Sequence, residues 1–556
     1  MTAPAVAGWL VAGKRGLTAP LFFVSLVLAS FGSSHGTVAL WAGASIAMAA
    51  SGLAGSTRWL GRTGLAACVH AYALVVVSSI FVTGQVYSAA GLYHPLLLVS
   101  AFLVVRGLDA SAERAVAVGA FLFAGALALW GATDIALLGE GRARALFETP
   151  AIFAATLNLP LLLLLATVLA TGWSPLAIAA ALVATGVFLA ESRGGLLGMA
   201  AGFGVAVVLA LRARIFRPRN MAIALALVVA GWAAAAAVRS IPSTPSPGIP
   251  SAEARAESSL SRLELFALSL RAWREHPLAG TGYLTFRYTL EQGRAEVPSY
   301  GAASETWFVH NDYLQTLQEL GLFGLLALLG LTVLPLVLAW RRLPDLATEQ
   351  RPAVMACSAA LASTAVHALV DFPFYVPVCL LLYGAALGAL DRRLGGALSG
   401  AVLDGSARRW FPAARVAVLA IVAVILLRPV AAEAAAAWGL RELSRGSGRN
   451  AAFWLGAAQR IDPKDWRYHW YAGQFWDMQT MESRKRENAQ LAANAYAAGF
   501  RANPLEVRNL LGLISVHDRY RDLLQAPATS QQLREWSARA VALAPQHPLV
   551  AKGTSK

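Results

Sequence analysis

The chain has 556 residues, with 46 Lys+Arg against 31 Asp+Glu for a formal net charge of +15, and only five of the cations are lysine. Apolar residues make up 57% of it and charged residues 14%, well below the roughly 25% charged of a soluble domain. That balance excludes an ordinary cytosolic enzyme, a disordered chain and a nucleic-acid binder with a solvated basic face; it belongs to a chain dissolved largely in lipid.

Runs of about 17–25 apolar residues predict thirteen spans, near 17–34, 36–54, 63–83, 91–105, 115–138, 149–170, 174–190, 194–211, 221–238, 317–340, 353–370, 373–390 and 412–431. The first run follows Lys14 and Arg15 but leads into many more, so it reads as a span and not as a cleavable signal peptide. If Lys14 and Arg15 are cytoplasmic, alternate loops should be rich in arginine. Arg58, Arg62, Arg106, Arg114, the group at 212–219, Arg341, Arg342, Arg351, Arg392, Arg393, Arg408 and Arg409 all fall on that side. The short connections opposite carry only Arg142, Arg144 and Arg193. The positive charge is mostly a topology signal, and no nucleic acid is needed to explain it. Cys68, Cys357 and Cys379 lie within apolar runs, without the spacing of a disulfide framework or a metal site.

The expected fold is therefore all-α and polytopic. N-terminal membrane helices occupy 1–238, a large loop follows at 239–316, further membrane helices occupy 317–431, and a helical domain fills 432–556. Loop and tail share the non-cytoplasmic face. The loop opens with IPSTPSPGIPS at 241–251, which cannot be regular helix. In the tail, AAQRIDPKDWRYHWYAGQ (457–474) and AANAYAAGFRANPLEVRNLLGL (492–513) recur at about 40 residues, and APQHP (544–548) closes the series. Small residues on one helix face followed by an Asp-Pro or Asn-Pro turn predict a tetratricopeptide-like repeat. Such a repeat either offers a concave face to a partner or simply caps the membrane helices.

An ionisable side chain at the edge of a bilayer costs several kcal/mol, so the polar residues of the outer face are the candidates for chemistry. In ESRGGLLGM (191–199), Arg193 falls where the next helix begins, and Gly194 and Gly195 clear its first turn. Exposed N–H groups beside a guanidinium would suit a phosphate, whereas a tight turn with one snorkelling arginine accounts for the same residues. In SSLSRLELFALSLRAWREHPLAGTGYLTF (258–286), a helix over 260–274 puts Leu263, Phe266, Leu270 and Trp273 on one face. Arg262 sits in its first turn, aimed inward or solvated, and GTGY follows as a flexible turn. In TWFVHNDYLQTLQELGLFG (306–324), His310 precedes an Asn-Asp pair suited to capping the next helix. That helix end and the nearby arginines make its surroundings cationic, and neutral imidazole is the form a general base needs. His367 and Asp371, four apart in VHALVDFPFYVP, can share a helix face and either orient a base or bridge two helices. No DxD, HExxH, Walker loop or GxSxG occurs on the outer face, so a site of arginine and histidine without metal or cofactor is expected.

SRGG (192–195), the helix running into HPLAGTG (276–282), VHNDYLQTLQELGLFG (309–324) and HALVDFPFYVP (367–377) together resemble the O-antigen ligase and polymerase superfamily, over roughly residues 180–390. The resemblance implies a bacterial inner-membrane glycosyltransferase of surface-polysaccharide and lipopolysaccharide biosynthesis, its N-terminus cytoplasmic and its C-terminal domain periplasmic. It implies transfer of a glycan from undecaprenyl diphosphate to an acceptor hydroxyl, inverting and metal-independent. By the same resemblance Arg193, Arg262 and His310 are the essential residues, with Arg193, Gly194, Gly195 and Arg262 at the donor diphosphate. Asn311, Asp312, Tyr313, His367 and Asp371 fall in supporting places. The acceptor is lipid A core in a ligase, another lipid-linked glycan in a polymerase, or a protein in an O-oligosaccharyltransferase. The ligase branch is the expected one, and membrane lipids are the remaining partners. A transporter or flippase is the reading from another class; it would show internal repeats and midplane polar groups, which this sequence lacks.

Overall fold

A computed structural model describes residues 18–32, 42–44, 46–47, 63–85, 87, 91–175, 177–241, 252–298, 307–394, 427–547 and 550. Most of the spans expected at 36–54 and 412–431, and most of the Pro-rich stretch at 241–251, lie outside the described residues. Among the described residues all regular structure is helical. In chain order the first part comprises α1 (Thr18–Gly32), α2 (Gly64–Val82), α3 (Tyr93–Gly107), α4 (Ala110–Ala136), α5 (Pro150–Thr171), α6 (Ala177–Leu189), α7 (Arg193–Arg212) and α8 (Pro218–Arg239). Then come α9 (Ala252–Glu275), α10 (Phe286–Gln292), α11 (Asp312–Arg342), α12 (Arg351–His367) and α13 (Pro377–Leu394). Among the described residues six helices, α2, α4, α5, α7, α8 and the stretch beginning at Asp312, are long and apolar enough to cross a membrane.

All of these helices but α8 start where a short polar side chain satisfies orphan N–H groups. Thr63 caps α2, Asp109 caps α4, Thr149 followed by Pro150 opens α5, and Ser192 caps α7. Their mutual packing relies on small residues, as expected where lipid removes the hydrophobic drive between helices. A Cβ on Gly198 or Gly202 of α7 would fall 2.8 or 2.6 Å from the carbonyls of Ser363 and Ala359 on α12. Gly384 and Gly388 bring α13 equally close to Leu98 and Phe102 of α3.

The antiparallel run of helices gives the bundle two ends. At one, buried Arg106 pairs with Asp391 at 2.8 Å, Arg392 and Arg393 meet Glu113, and Arg351 donates to the carbonyl of Ala213 at 3.1 Å. At the other lie the start of α7, the end of α12 and the start of α11, so the candidate residues converge there.

The tenth predicted span is not one continuous helix. Within α11, Gly321 has φ 65° and ψ −162°, which breaks it just past Glu319. The segment 277–282 fills the break: Leu322 donates to Pro277 O, Thr281 to Gln318 O and Gly282 to Glu319 O, each at 2.9 Å. A Cβ on Gly280 would lie 2.3 Å from the Glu319 carbonyl carbon, and one on Gly321 2.1 Å from Leu278 O. HPLAGTG and GLFG are thus two halves of one backbone junction, and the GTGY turn, expected to be flexible, is locked.

The C-terminal part is a series of antiparallel helices: α14 (427–444), α15 (Gly448–Ile461), α16 (Trp466–Ser483), α17 (Arg486–Ala502), α18 (Val507–Arg519) and α19 (Ser530–Leu543). The two X-Pro turns are built alike. Asp465 caps α16 through the Arg467 N–H at 2.9 Å, and Glu506 caps α18 through the Arg508 N–H at 3.3 Å.

Candidate functional site

Residues 367–374, between α12 and α13, form the turn on which the predicted side chains meet. Asn311 caps α11 by accepting from the Leu314 N–H at 3.0 Å, as the sequence predicts. Asp312 is fully buried; its N–H donates to Ala368 O at 2.9 Å, and its carboxylate accepts from the Phe374 N–H at 2.8 Å. Tyr313 donates its hydroxyl to Ala365 O at 2.9 Å. The Asn-Asp-Tyr run therefore fastens the start of α11 to the end of α12, which fixes the residue just before it.

That residue is His310, at φ +60°, a left-handed backbone uncommon outside glycine. Its Nδ1 lies 3.4 Å from Asp371 Oδ1, and its ring meets Phe372 edge-on at 5.1 Å. His367 approaches Asp371 from the other side, Nε2 to Oδ2 at 3.7 Å, and is almost wholly buried. Burial opposes ionisation of Asp371, yet the hydrogen bond with His310 and the closeness of His367 hold its carboxyl well below the usual carboxylate range. The sequence reading surrounded His310 with cations; the structure puts a carboxylate against it.

Arg262 donates from Nη1 to Val370 O at 3.1 Å, so it points inward onto the same turn. The helix around it differs from expectation. It begins at Ala252, which places Arg262 near its middle, not in its first turn. Leu265 and Leu268 form the core face with Phe286, Leu290 and Val309, whereas Leu263 is exposed. The predicted apolar face was rotated because Leu263 looked equivalent to its neighbours in a helix where apolar residues occur all round.

Arg193 is the first residue of α7 and is exposed. Its neighbour Gly194 touches the same turn: a Cβ there would lie 2.8 Å from His367 Cδ2 and 2.9 Å from Val370 Cγ2. The Gly pair is less open than expected. Gly195 donates to Ser192 Oγ at 3.1 Å, and its carbonyl accepts from Asn158 Nδ2 at 2.8 Å. The glycines bring α7 close to α12 and α5, which delivers Arg193 to the site. Two further arginines steady the approach. Arg142 donates to Ala190 O at 3.0 Å and Glu191 O at 2.9 Å, and Arg239 donates to Leu189 O at 2.9 Å.

Arg193, Arg262 and His310 are thus gathered at one end of the bundle around a single turn. One contributor escaped the sequence reading. Glu319 is fully buried and accepts from Leu284 N at 2.9 Å, Phe286 N at 3.1 Å and the Tyr375 hydroxyl at 2.8 Å. Tyr375 stacks on Tyr283 at 5.5 Å, whose hydroxyl meets His94 Nδ1 at 2.7 Å. A lone carboxylate at the head of an apolar span was the signal that could have found it.

Comparison with known families gives one match: residues 178–329 fit the family model described as O-antigen ligase. The match takes in α7, α8, α9 and the head of α11, and stops before the turn carrying His367 and Asp371. A search of curated proteins finds no match. The matched segment contains SRGG, HPLAGTG and HNDYLQTLQELGLFG, the motifs the geometry joins, and over these residues the chain is similar to the O-antigen ligase family.

Proposed function

We propose that the chain transfers a glycan from an undecaprenyl-diphosphate donor to an acceptor hydroxyl on the periplasmic face of the bacterial inner membrane, as a ligase. The observation that carries this reading is the convergence of Arg262, His310 and the start of α7 on residues 367–371. In the proposed reaction the acceptor oxygen attacks the anomeric carbon from the face opposite the diphosphate. The C–O bond to the diphosphate breaks, its electron pair stays on the leaving oxygen, and the configuration inverts. With the Nδ1 proton of His310 donated to Asp371, the lone pair sits on Nε2, which takes the acceptor's proton. Arg193 and Arg262 meet the charge that grows on the diphosphate, and as fixed cations they need no reorganisation. His367 holds Asp371 from behind. The donor's lipid lies along the bundle, and the TPR-like tail at 432–556 stands over the site on the periplasmic side together with the loop at 239–316.

The test uses the full chain in nanodiscs with lipid-linked oligosaccharide, reading release of undecaprenyl diphosphate and the mass of the product. Transfer by wild type and its loss in His310→Ala and Arg193→Ala variants of unchanged thermal stability are expected. Wild-type transfer by either variant would overturn the assignment. Lipid A core, a second lipid-linked glycan and a peptide bearing serine, offered separately as acceptors, separate ligase from polymerase and from protein glycosylation.

A further inference from the structure

A second place where the chain gathers recognition chemistry lies outside this turn, where α10 and Trp307 face the C-terminal helices. A cleft of about 310 Å³ opens there between two walls, the lower end of the roughly 300–1,000 Å³ usual for small-molecule sites. One wall carries Arg287 and Trp307, the other Trp466, Trp470 and Arg508. The Arg287 guanidinium stacks between Tyr288 and Trp307, 4.4 Å from each ring centroid, and Arg508 lies 5.7 Å from Trp466 and 5.9 Å from Trp470. Stacking fixes each guanidinium plane.

The walls are held in register. Fully buried Asn503, in the turn before α18, donates from Nδ2 to the Tyr288 hydroxyl at 2.6 Å across the cleft floor. The carboxylates present are already answered: Glu291 pairs with Arg294 at 2.5 Å, and Glu506 meets Arg508 at 3.7 Å. Arg287 has no carboxylate in ion-pair contact among the described residues; its hydrogen-bond partner is the Tyr288 hydroxyl. Trp307 keeps 50% of its surface exposed, whereas a contact that served only to glue the tail to the loop would bury it.

We propose that this cleft binds an oligosaccharide, a stretch of the glycan chain on its way to or from the transfer site; the identity of that glycan rests on the proposed transferase function. A pyranose offers an apolar C–H face and a rim of hydroxyls. Indole rings suit the face, and planar guanidinium edges with a few carboxylate oxygens suit the rim. Trp307 precedes His310 by three residues, and three residues of extended chain span at most about 11 Å. A glycan held on Trp307 therefore reaches the acceptor position within a few sugar units. The tail, in this reading, supplies half of a glycan subsite.

The experiment is binding of the labelled full chain, in nanodiscs, to an array of neutral and acidic bacterial oligosaccharides, with peptides on the same array. Retention of oligosaccharides is expected, weakened roughly threefold to tenfold by Trp470→Ala or Arg287→Ala and abolished in the double variant. Trp470→Phe should recover most of the binding, which separates ring stacking from a folding defect. Retention of peptides alone, no retention, or equal retention by the double variant would overturn the proposal. His310→Ala should still bind oligosaccharide. Failure of the transferase reading appears instead as no release of undecaprenyl diphosphate by the wild-type chain, which leaves the binding result standing.

Discussion

The two ends of the helical bundle are both rich in arginine, and they use it differently. At one end the guanidinium groups of Arg106, Arg392 and Arg393 meet carboxylates on a neighbouring helix. At the other, Arg239 and Arg144 also meet Glu191 and Glu140, but Arg262 donates to a backbone carbonyl and Arg193 stands exposed, while Asp371 faces two histidines. Cations answered by carboxylates hold helices together. Cations left with uncompensated charge can meet an anion that arrives from outside. The same residue type thus builds the scaffold at both ends, and under the proposed function Arg193 and Arg262 are the ones left for a ligand.

The largest expected effect is at the open end: His310→Ala should lower transfer about 10²–10⁴-fold, read as diphosphate release, with thermal unfolding unchanged. Arg106→Ala is the converse. It leaves Asp391 buried without its partner and should cost about 3–5 kcal/mol of stability, with turnover per folded molecule unchanged. If Arg106→Ala instead abolished turnover in stable protein, the division between the ends would fail. Arg193→Ala comes next, with a loss on the order of 100-fold in rate that Arg193→Lys restores only in part, again without a change in unfolding temperature. Glu319→Gln weakens two backbone acceptor contacts and should destabilise by about 1–3 kcal/mol, seen as a lowered unfolding temperature.

The smallest effect concerns pH. The Asp371 carboxyl lies below its ordinary value of about 3.9. Its contribution to stability is fully present above that value and is lost only as pH falls through the lower folded-state value. Unfolding curves of wild type and Asp371→Asn should therefore keep a constant separation from pH 7 down to about 4 and converge below it. Convergence already at pH 6 would show that the carboxylate is not held as described.

Much of this was legible from the sequence because lipid leaves clear marks. Arginine alternation followed the two ends, Arg193 and the Asn311-Asp312 pair marked the starts of α7 and α11, and the HND and SRGG strings meet at one turn. The less legible parts are those where distant backbone decides the outcome. Nothing local to 312–342 announces that Gly321 breaks the helix, because the cause is the insertion of 277–282, some 40 residues earlier. Nothing local to 252–275 tells which face is buried, because Phe286, Leu290 and Val309 choose it. Glu319 is a single carboxylate near the head of an apolar span, and its partners come from three segments. The role of Arg287 was invisible, since the rings that stack on it come from positions 288, 307 and 466.

The junction at Gly321 also limits how a substrate arrives. Lifting residues 277–282 off the helix would strand three backbone hydrogen bonds at once, each costing about 1–3 kcal/mol where water is scarce. This stretch therefore serves as a rigid roof beam, not as a hatch. Under the proposed function, a long-tailed donor would have to slide in sideways between helices, keeping its chain in the hydrocarbon. Widening that side gap, more than loosening the roof, is what would change the speed of loading.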